Sequence, residues 1–138
     1  MTVFKLKKDE ILTPQDWGFP VPIAYGPGRF DEITNFCSDN QIKNPLIVTD
    51  SGSVNLPFLD KFIEILKKAK VSSGIYSKIS PNPRDDEISE GKQLFRNNDH
   101  DAIIAIGGGS AMDGGKSICL TANTVSYTHL TLPTIYSV

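Results

Sequence analysis

Two rhythms of hydrophobic and polar positions alternate along this chain. Compact, largely β-branched runs, Leu46-Ile47-Val48 and Ala102-Ile103-Ile104-Ala105-Ile106, are separated by stretches whose apolar residues recur every three or four positions. Unbroken apolar runs suit strands covered on both faces, and the wider spacing suits one face of a helix. Phe30, Ile33, Phe36 and Cys37 predict a helix over 29–38. Leu59, Phe62, Ile63, Leu66 and Ala69 predict a second, with Lys61, Lys67 and Lys68 off that face. Ile88, Gly91, Leu94 and Phe95 predict a third, which Asp85 or Asp86 can cap. A fourth runs from about Ala111 to Thr121, directly after the strand at 102–106. Shorter strands are expected at Ile23–Tyr25 and Ser72–Lys78. Before them, Pro14, Pro20 and Pro22 restrict residues 1–22 to an extended arm with one short edge strand.

Four strand–helix pairs in succession call for an α/β fold, a parallel sheet with helices on its faces. Right-handed crossovers bring the loops that follow the strands to one edge, where open α/β sheets bind ligands. The loops of interest are therefore Thr49–Gly52, Pro81–Pro83 and Gly107–Ser110.

Composition narrows the function classes. With 138 residues, 39% hydrophobic and 22% charged, the chain is neither disordered nor collagen-like. Fourteen basic against 16 acidic residues give a net charge of −2, which offers no grip for nucleic acid. No apolar run approaches the length of a membrane span, and the first ten residues lack the apolar stretch of a signal peptide. Cys37 and Cys119 fall on apolar helix faces, as core thiols of a cytoplasmic protein do.

The densest chemical signal is Gly107-Gly108-Gly109-Ser110, between a buried strand and a helix. Without Cβ atoms a ligand can approach the backbone closely. The free amides of the first helical turn and the helix dipole attract an anion, and Ser110 adds a hydroxyl. The pattern fits a diphosphate, against the alternative of a tight turn whose glycines serve packing only. It is not read as a P-loop, which needs a longer loop before its Gly-Lys-Ser/Thr ending; here Lys116 falls six residues past Ser110. Asp113 and Lys116 share a helix face, either as a surface ion pair or as polar groups lining a cleft. Gly114 and Gly115 cost about 1 kcal/mol each in helix propensity relative to alanine, which suggests that something closely approaches this helix.

From Asp101 to Lys116 the sequence resembles the Gly-Gly-Gly-Ser-x-x-Asp-x-x-Lys segment of the iron-containing (group III) alcohol dehydrogenases. Tyr25-Gly26-Pro27-Gly28, Leu46-Ile47-Val48-Thr49-Asp50 and Pro81-Asn82-Pro83 resemble further motifs of that family, and the likeness runs from about Trp17 to Asn123. The resemblance implies a Rossmann-like N-terminal domain over residues 23–124, belonging to an oxidoreductase that moves hydride between NAD(P) and a small alcohol or aldehyde. It implies that Gly107, Gly108, Gly109 and Ser110 meet the cofactor diphosphate. Asp113 would lie near the nicotinamide, Asn82 beside the cofactor, and Asp50 on the adenosine ribose hydroxyls. A carboxylate at Asp50 repels a 2′-phosphate, which favours NAD over NADP; the alternative is an Asx-type turn with Ser51-Gly52. Glycerol dehydrogenase-like or dehydroquinate synthase-like parents, and a non-catalytic dinucleotide-binding module, remain alternatives. A homo-oligomeric parent is compatible with the likeness.

The family holds iron or zinc through one aspartate and three histidines in a helical second domain. This chain has two histidines, His100 in a polar and solvated loop and His129 near the end, so no metal ligands are expected. Catalytic residues are likewise expected to be absent, and the chain by itself inactive. Residues Val125–Thr134 resemble a translated frame of the transposon mosaic-end adapter used in sequencing libraries. This suggests that Val125–Val138 is a non-native tail; the competing reading is an edge strand carrying Tyr127, Leu130, Leu132 and Ile135. An uncovered edge would leave apolar surface at Ile118, Cys119 and Leu120.

Overall fold

The structure is a computed structural model that describes residues 14–18 and 22–122. The expectations for the tail at 125–138, and for the arm outside residues 14–18, concern residues outside the described part. Strands β1 (Gln15–Gly18) and β2 (Pro22–Tyr25) precede a 3-10 turn at Arg29–Glu32 and helix α1 (Ile33–Asp39). Strand β3 (Pro45–Asp50), helix α2 (Pro57–Lys68), strand β4 (Gly74–Ile79) and helix α3 (Asp85–Asn97) follow. Strand β5 (Ala102–Ala105) and helix α4 (Gly109–Ala122) complete the order.

Strands β3, β4 and β5 form a parallel sheet in the order β4-β3-β5. The first predicted strand does not join it. β2 pairs antiparallel with β1 in a separate two-stranded ribbon, with Trp17 opposite Ile23. Pro22 has no amide to donate to a ladder, and Ile23 and Tyr25 are both exposed, whereas the four residues of β5 are all buried.

The apolar run of β3 explains its central place. Pro45 through Thr49 are all buried, and strand alternation sends successive side chains to opposite faces. Ile47 packs with Cys37, Leu59, Phe62, Leu66, Ile104 and Ile106 under α1 and α2. Leu46 and Val48 pack with Tyr76, Ile79, Ile103 and Ile118 under α3 and α4. Both faces are thus covered, as in a doubly wound α/β domain. Phe62 is fully buried and its ring lies 5.0 Å from that of Phe30. Each such side chain contributes roughly 1.5–3 kcal/mol.

The third helix starts differently from expectation. Asp85 and Asp86 occupy its first turn, and Arg84 is the cap position. The compensation comes from Glu87, whose carboxylate accepts the amides of Arg84 and Ser80 at 3.2 Å each. The Ser80 hydroxyl is also 3.1 Å from it. Burial pushes the Glu87 carboxyl up, but these three donors and the Arg84 guanidinium hold it below the ordinary carboxylate range. The spacing of Arg84 and Glu87 is that of a capping box.

Tyr76 donates its hydroxyl to the Glu87 carbonyl at 2.6 Å. Burial, followed by the charges of Glu90, Glu87 and Asp86, pushes the Tyr76 phenol up to about 12. Its proton is therefore held more tightly in the folded chain than in the unfolded one. That contribution is complete below the unfolded value of 10.0 and is lost as pH rises towards about 12. Tyr76→Phe should cost about 1 kcal/mol at neutral pH, and urea melts of the variant should lack the parent's extra fall in stability on the alkaline side. A variant as base-sensitive as the parent would refute this.

Two surface expectations change. Of Ile118, Cys119 and Leu120, only Leu120 is exposed, at 77%, while Ile118 is fully buried beneath α4. The three residues point in different directions around a helix, so adjacency in sequence makes no patch. His100 is half-buried rather than solvated. Its Nδ1 lies 2.9 Å from the Asn44 carbonyl, and its ring rests beside Phe95.

Candidate functional site

The chain passes from β3 outward to β4, then crosses back over β3 to β5. The connections therefore diverge at the carboxyl ends of β3 and β5, and open α/β sheets bind ligands in that crevice. Val48 is level with Ala105, and the Ile106 amide donates to the Val48 carbonyl at 2.9 Å. This register brings Asp50 and Gly107 side by side.

Gly107 is held by the fold itself. Its φ is +139°, and a Cβ built there would lie 2.6 Å from Asp50 Oδ2 and 2.9 Å from the Ala111 Cβ. Only glycine meets both demands. Gly108 and Gly109 differ. Both are exposed, neither has a positive φ, and a Cβ on either would meet nothing within 4 Å. Packing therefore does not account for these two glycines. They sit at the start of α4, whose first turn carries no acidic residue. The amides of a first helical turn have no intrahelical acceptor and present partial positive charge to the crevice. Ser110 is half-buried in that turn.

Asp50 ends β3 with its carboxylate committed to the turn. Oδ1 accepts the amides of Gly52 at 3.0 Å and Ser53 at 2.9 Å, and Oδ2 accepts the Ser53 hydroxyl at 2.8 Å. The Asx-type turn is present, extended by one residue to Ser53. It leaves Oδ2 at the edge of the Gly107 turn.

Asn82 lies exposed in the loop after β4, its carbonyl 2.8 Å from the Ser80 hydroxyl. It shares the carboxyl edge, since Ile79 is level with Asp50 and the Ser51 amide donates to the Ile79 carbonyl at 3.1 Å. Asp113 is exposed on α4, and no ion pair joins it to Lys116 among the described residues. The neighbours of Gly114 and Gly115 are now identified as the sheet. A Cβ on Gly114 would lie 2.7 Å from Ile79 Cδ1, and one on Gly115 2.7 Å from the Ala105 Cβ. These two glycines let α4 approach the strands closely.

Both cysteines are free thiols. Burial pushes each up, and Asp101 adds to this at Cys37, so neither is an activated nucleophile. Among the described residues, no three His, Cys, Asp or Glu side chains gather as metal ligands would. Those residues do not fit a metal site. No helix among them is long and apolar enough to cross a membrane.

Sequence reasoning passed over two residues of this edge, Ser53 and Glu87. Each stands three positions after its partner, the spacing of an Asx turn and of a capping box respectively.

The family model described as iron-containing alcohol dehydrogenase matches residues 20–136. Alcohol dehydrogenase 4 of Saccharomyces cerevisiae (strain ATCC 204508 / S288c) is 30% identical over 107 residues, covering 76% of this chain and 28% of its own length. The crystal structure of 1,3-propanediol oxidoreductase superposes with a TM-score of 0.69 at 31% identity, over 75% of this chain and 27% of that one. Sulfoacetaldehyde reductase from Bifidobacterium kashiwanohense, solved in complex with NAD+, gives a TM-score of 0.63 at 27% identity, over 78% and 31%. The chain thus spans about 28% of the length of the curated relative. Glycerol dehydrogenase-like and dehydroquinate synthase-like parents are not favoured. With its glycine turn, its parallel sheet and its match over residues 20–136, this chain belongs to the iron-containing alcohol dehydrogenase family.

Proposed function

We propose that the crevice at the carboxyl ends of β3 and β5 binds NAD, and that this chain is the cofactor-binding part of a dehydrogenase acting on a small alcohol or aldehyde. One observation carries the reading. Gly108 and Gly109 open onto empty space at the start of a 14-residue helix, and no packing demand explains them. The diphosphate lies over that turn, against the amides of Gly107, Gly108 and Gly109 and the hydroxyl of Ser110. Asp50 accepts hydrogen bonds from the adenosine ribose and repels a 2′-phosphate, so NAD is preferred to NADP. Asn82 borders the crevice beside the cofactor, and Asp113 borders it on the nicotinamide side. The bound nicotinamide would supply the hydride acceptor or donor.

The family's metal, iron or zinc, finds no ligand set among the described residues. The 138-residue chain is accordingly expected to bind cofactor without turning over alcohol. A reducing cytoplasm suits its free, shielded thiols.

Fluorescence titration with NADH tests the site. Gly109→Val places a branched side chain where the diphosphate would lie. It should weaken binding at least about tenfold while the melting temperature stays within about 4 °C. Absence of NADH binding by the parent chain, or equal binding by the variant, would overturn the assignment. NAD-linked alcohol turnover with added iron or zinc would overturn the expected inactivity.

A further inference from the structure

We infer that Ser53 is a positioning residue that sets the cofactor preference of the crevice by orienting the Asp50 carboxylate. The inference rests on the NAD reading above. Ser53 lies outside the glycine turn, in the loop between β3 and α2, bonded to Asp50 and facing the space beside Gly107. Its hydroxyl donates to Asp50 Oδ2 at 2.8 Å, its amide donates to Asp50 Oδ1 at 2.9 Å, and its Oγ lies 3.4 Å from where a Gly107 Cβ would be.

These contacts divide the work of orientation. Two amides, of Gly52 and Ser53, hold Oδ1. Against rotation of the carboxylate about its Cβ–Cγ bond, the only side-chain donor to Oδ2 recorded among the described residues is the Ser53 hydroxyl. Gly107 leaves room beside Oδ2 that a side chain would fill, since a Cβ there would lie 2.6 Å from it. A carboxylate oxygen accepts about two hydrogen bonds. With Ser53 on one lone pair, Oδ2 keeps one acceptor position in a fixed direction for a ribose hydroxyl. The same fixed negative charge repels a 2′-phosphate. Freed from Ser53, the carboxylate can turn, so the ribose loses an aligned acceptor and a 2′-phosphate meets a charge that can move aside.

The test compares direct binding of NADH and NADPH to the full chain, by fluorescence titration, for the parent and for Ser53→Ala, Ser53→Thr and Asp50→Asn. Loss of one charge-assisted hydrogen bond corresponds to about a tenfold change. Ser53→Ala should weaken NADH about tenfold, leave NADPH unchanged or tighter, and so reduce the preference for NADH by at least that factor. Ser53→Thr, which keeps the hydroxyl, should restore the preference. Asp50→Asn should abolish it. A purely structural role would lower the melting temperature and weaken both cofactors equally, and that outcome overturns the inference. Tighter NADH binding by Ser53→Ala would also overturn it, since Ser53 would then compete with the ribose. If the parent discriminates and Gly109→Val fails to bind, yet Ser53→Ala discriminates like the parent, the positioning role fails while the NAD site stands. If the parent binds neither cofactor, both fall together.

Discussion

Gly107→Ala should lose about 3–5 kcal/mol of stability, the sum of backbone strain and overpacking, each worth roughly 1–3 kcal/mol. A φ of +139° is closed to alanine without strain, and the new methyl would stand 2.6 Å from Asp50 Oδ2 and 2.9 Å from the Ala111 Cβ. The whole stability of a domain this size is about 5–15 kcal/mol, so the variant should sit near the edge of folding. Its melting temperature should fall by on the order of 15 °C. Gly108→Ala is the control. It has a negative φ and nothing within 4 Å, so it should stay within about 1 kcal/mol of the parent. Equal melts for the two variants would show that neighbouring glycines play one role, contrary to the geometry.

Gly115→Ala should also destabilise, by about 2 kcal/mol, although alanine is the better helix former by about 1 kcal/mol. Helix α4 lies so close to β5 that the added Cβ would be 2.7 Å from the Ala105 Cβ and 3.7 Å from its Cα. Neither atom can rotate away, so the helix must lift from the sheet. Ala105→Gly removes the obstructing methyl, and the double variant should regain part of the loss. Such coupling is expected between residues in contact. Chemical denaturation of all four forms measures it. If Gly115→Ala alone is more stable than the parent, propensity outweighs contact and the close packing of α4 is wrong.

Three kinds of glycine thus occur within nine residues, and the chain itself prints them alike. Gly107 serves the backbone, Gly114 and Gly115 serve helix–sheet approach, and Gly108 and Gly109 face open space. The sequence supports only a single statement about the run, that something comes close. Which atom comes close depends on Ile79 and Ala105, residues tens of positions or one strand away.

Other elements were legible for a plain reason. The runs at Leu46–Val48 and Ala102–Ile106 and the three- and four-residue spacing of Leu59, Phe62 and Leu66 are local patterns, and burial follows local periodicity. The cap of α3 is not legible locally, because Asp85 and Asp86 suit a cap equally well while the cap position falls to Arg84. Glu87 acts because Ser80, seven residues earlier, is brought back to it by the Pro81–Pro83 loop.

By itself, the sequence determined the alternation of buried strands and amphipathic helices, and the glycine turn that opens α4. These depend on side-chain period and on the absence of Cβ atoms, both written residue by residue. Tertiary structure alone decided the order β4-β3-β5, the separate ribbon formed by β1 and β2, and the meeting of Asp50, Ser53 and Gly107. Ser53 and Gly107 stand 54 positions apart in the chain. No local pattern fixes which strand lies beside which, because that choice is made by the packing of whole faces against one another.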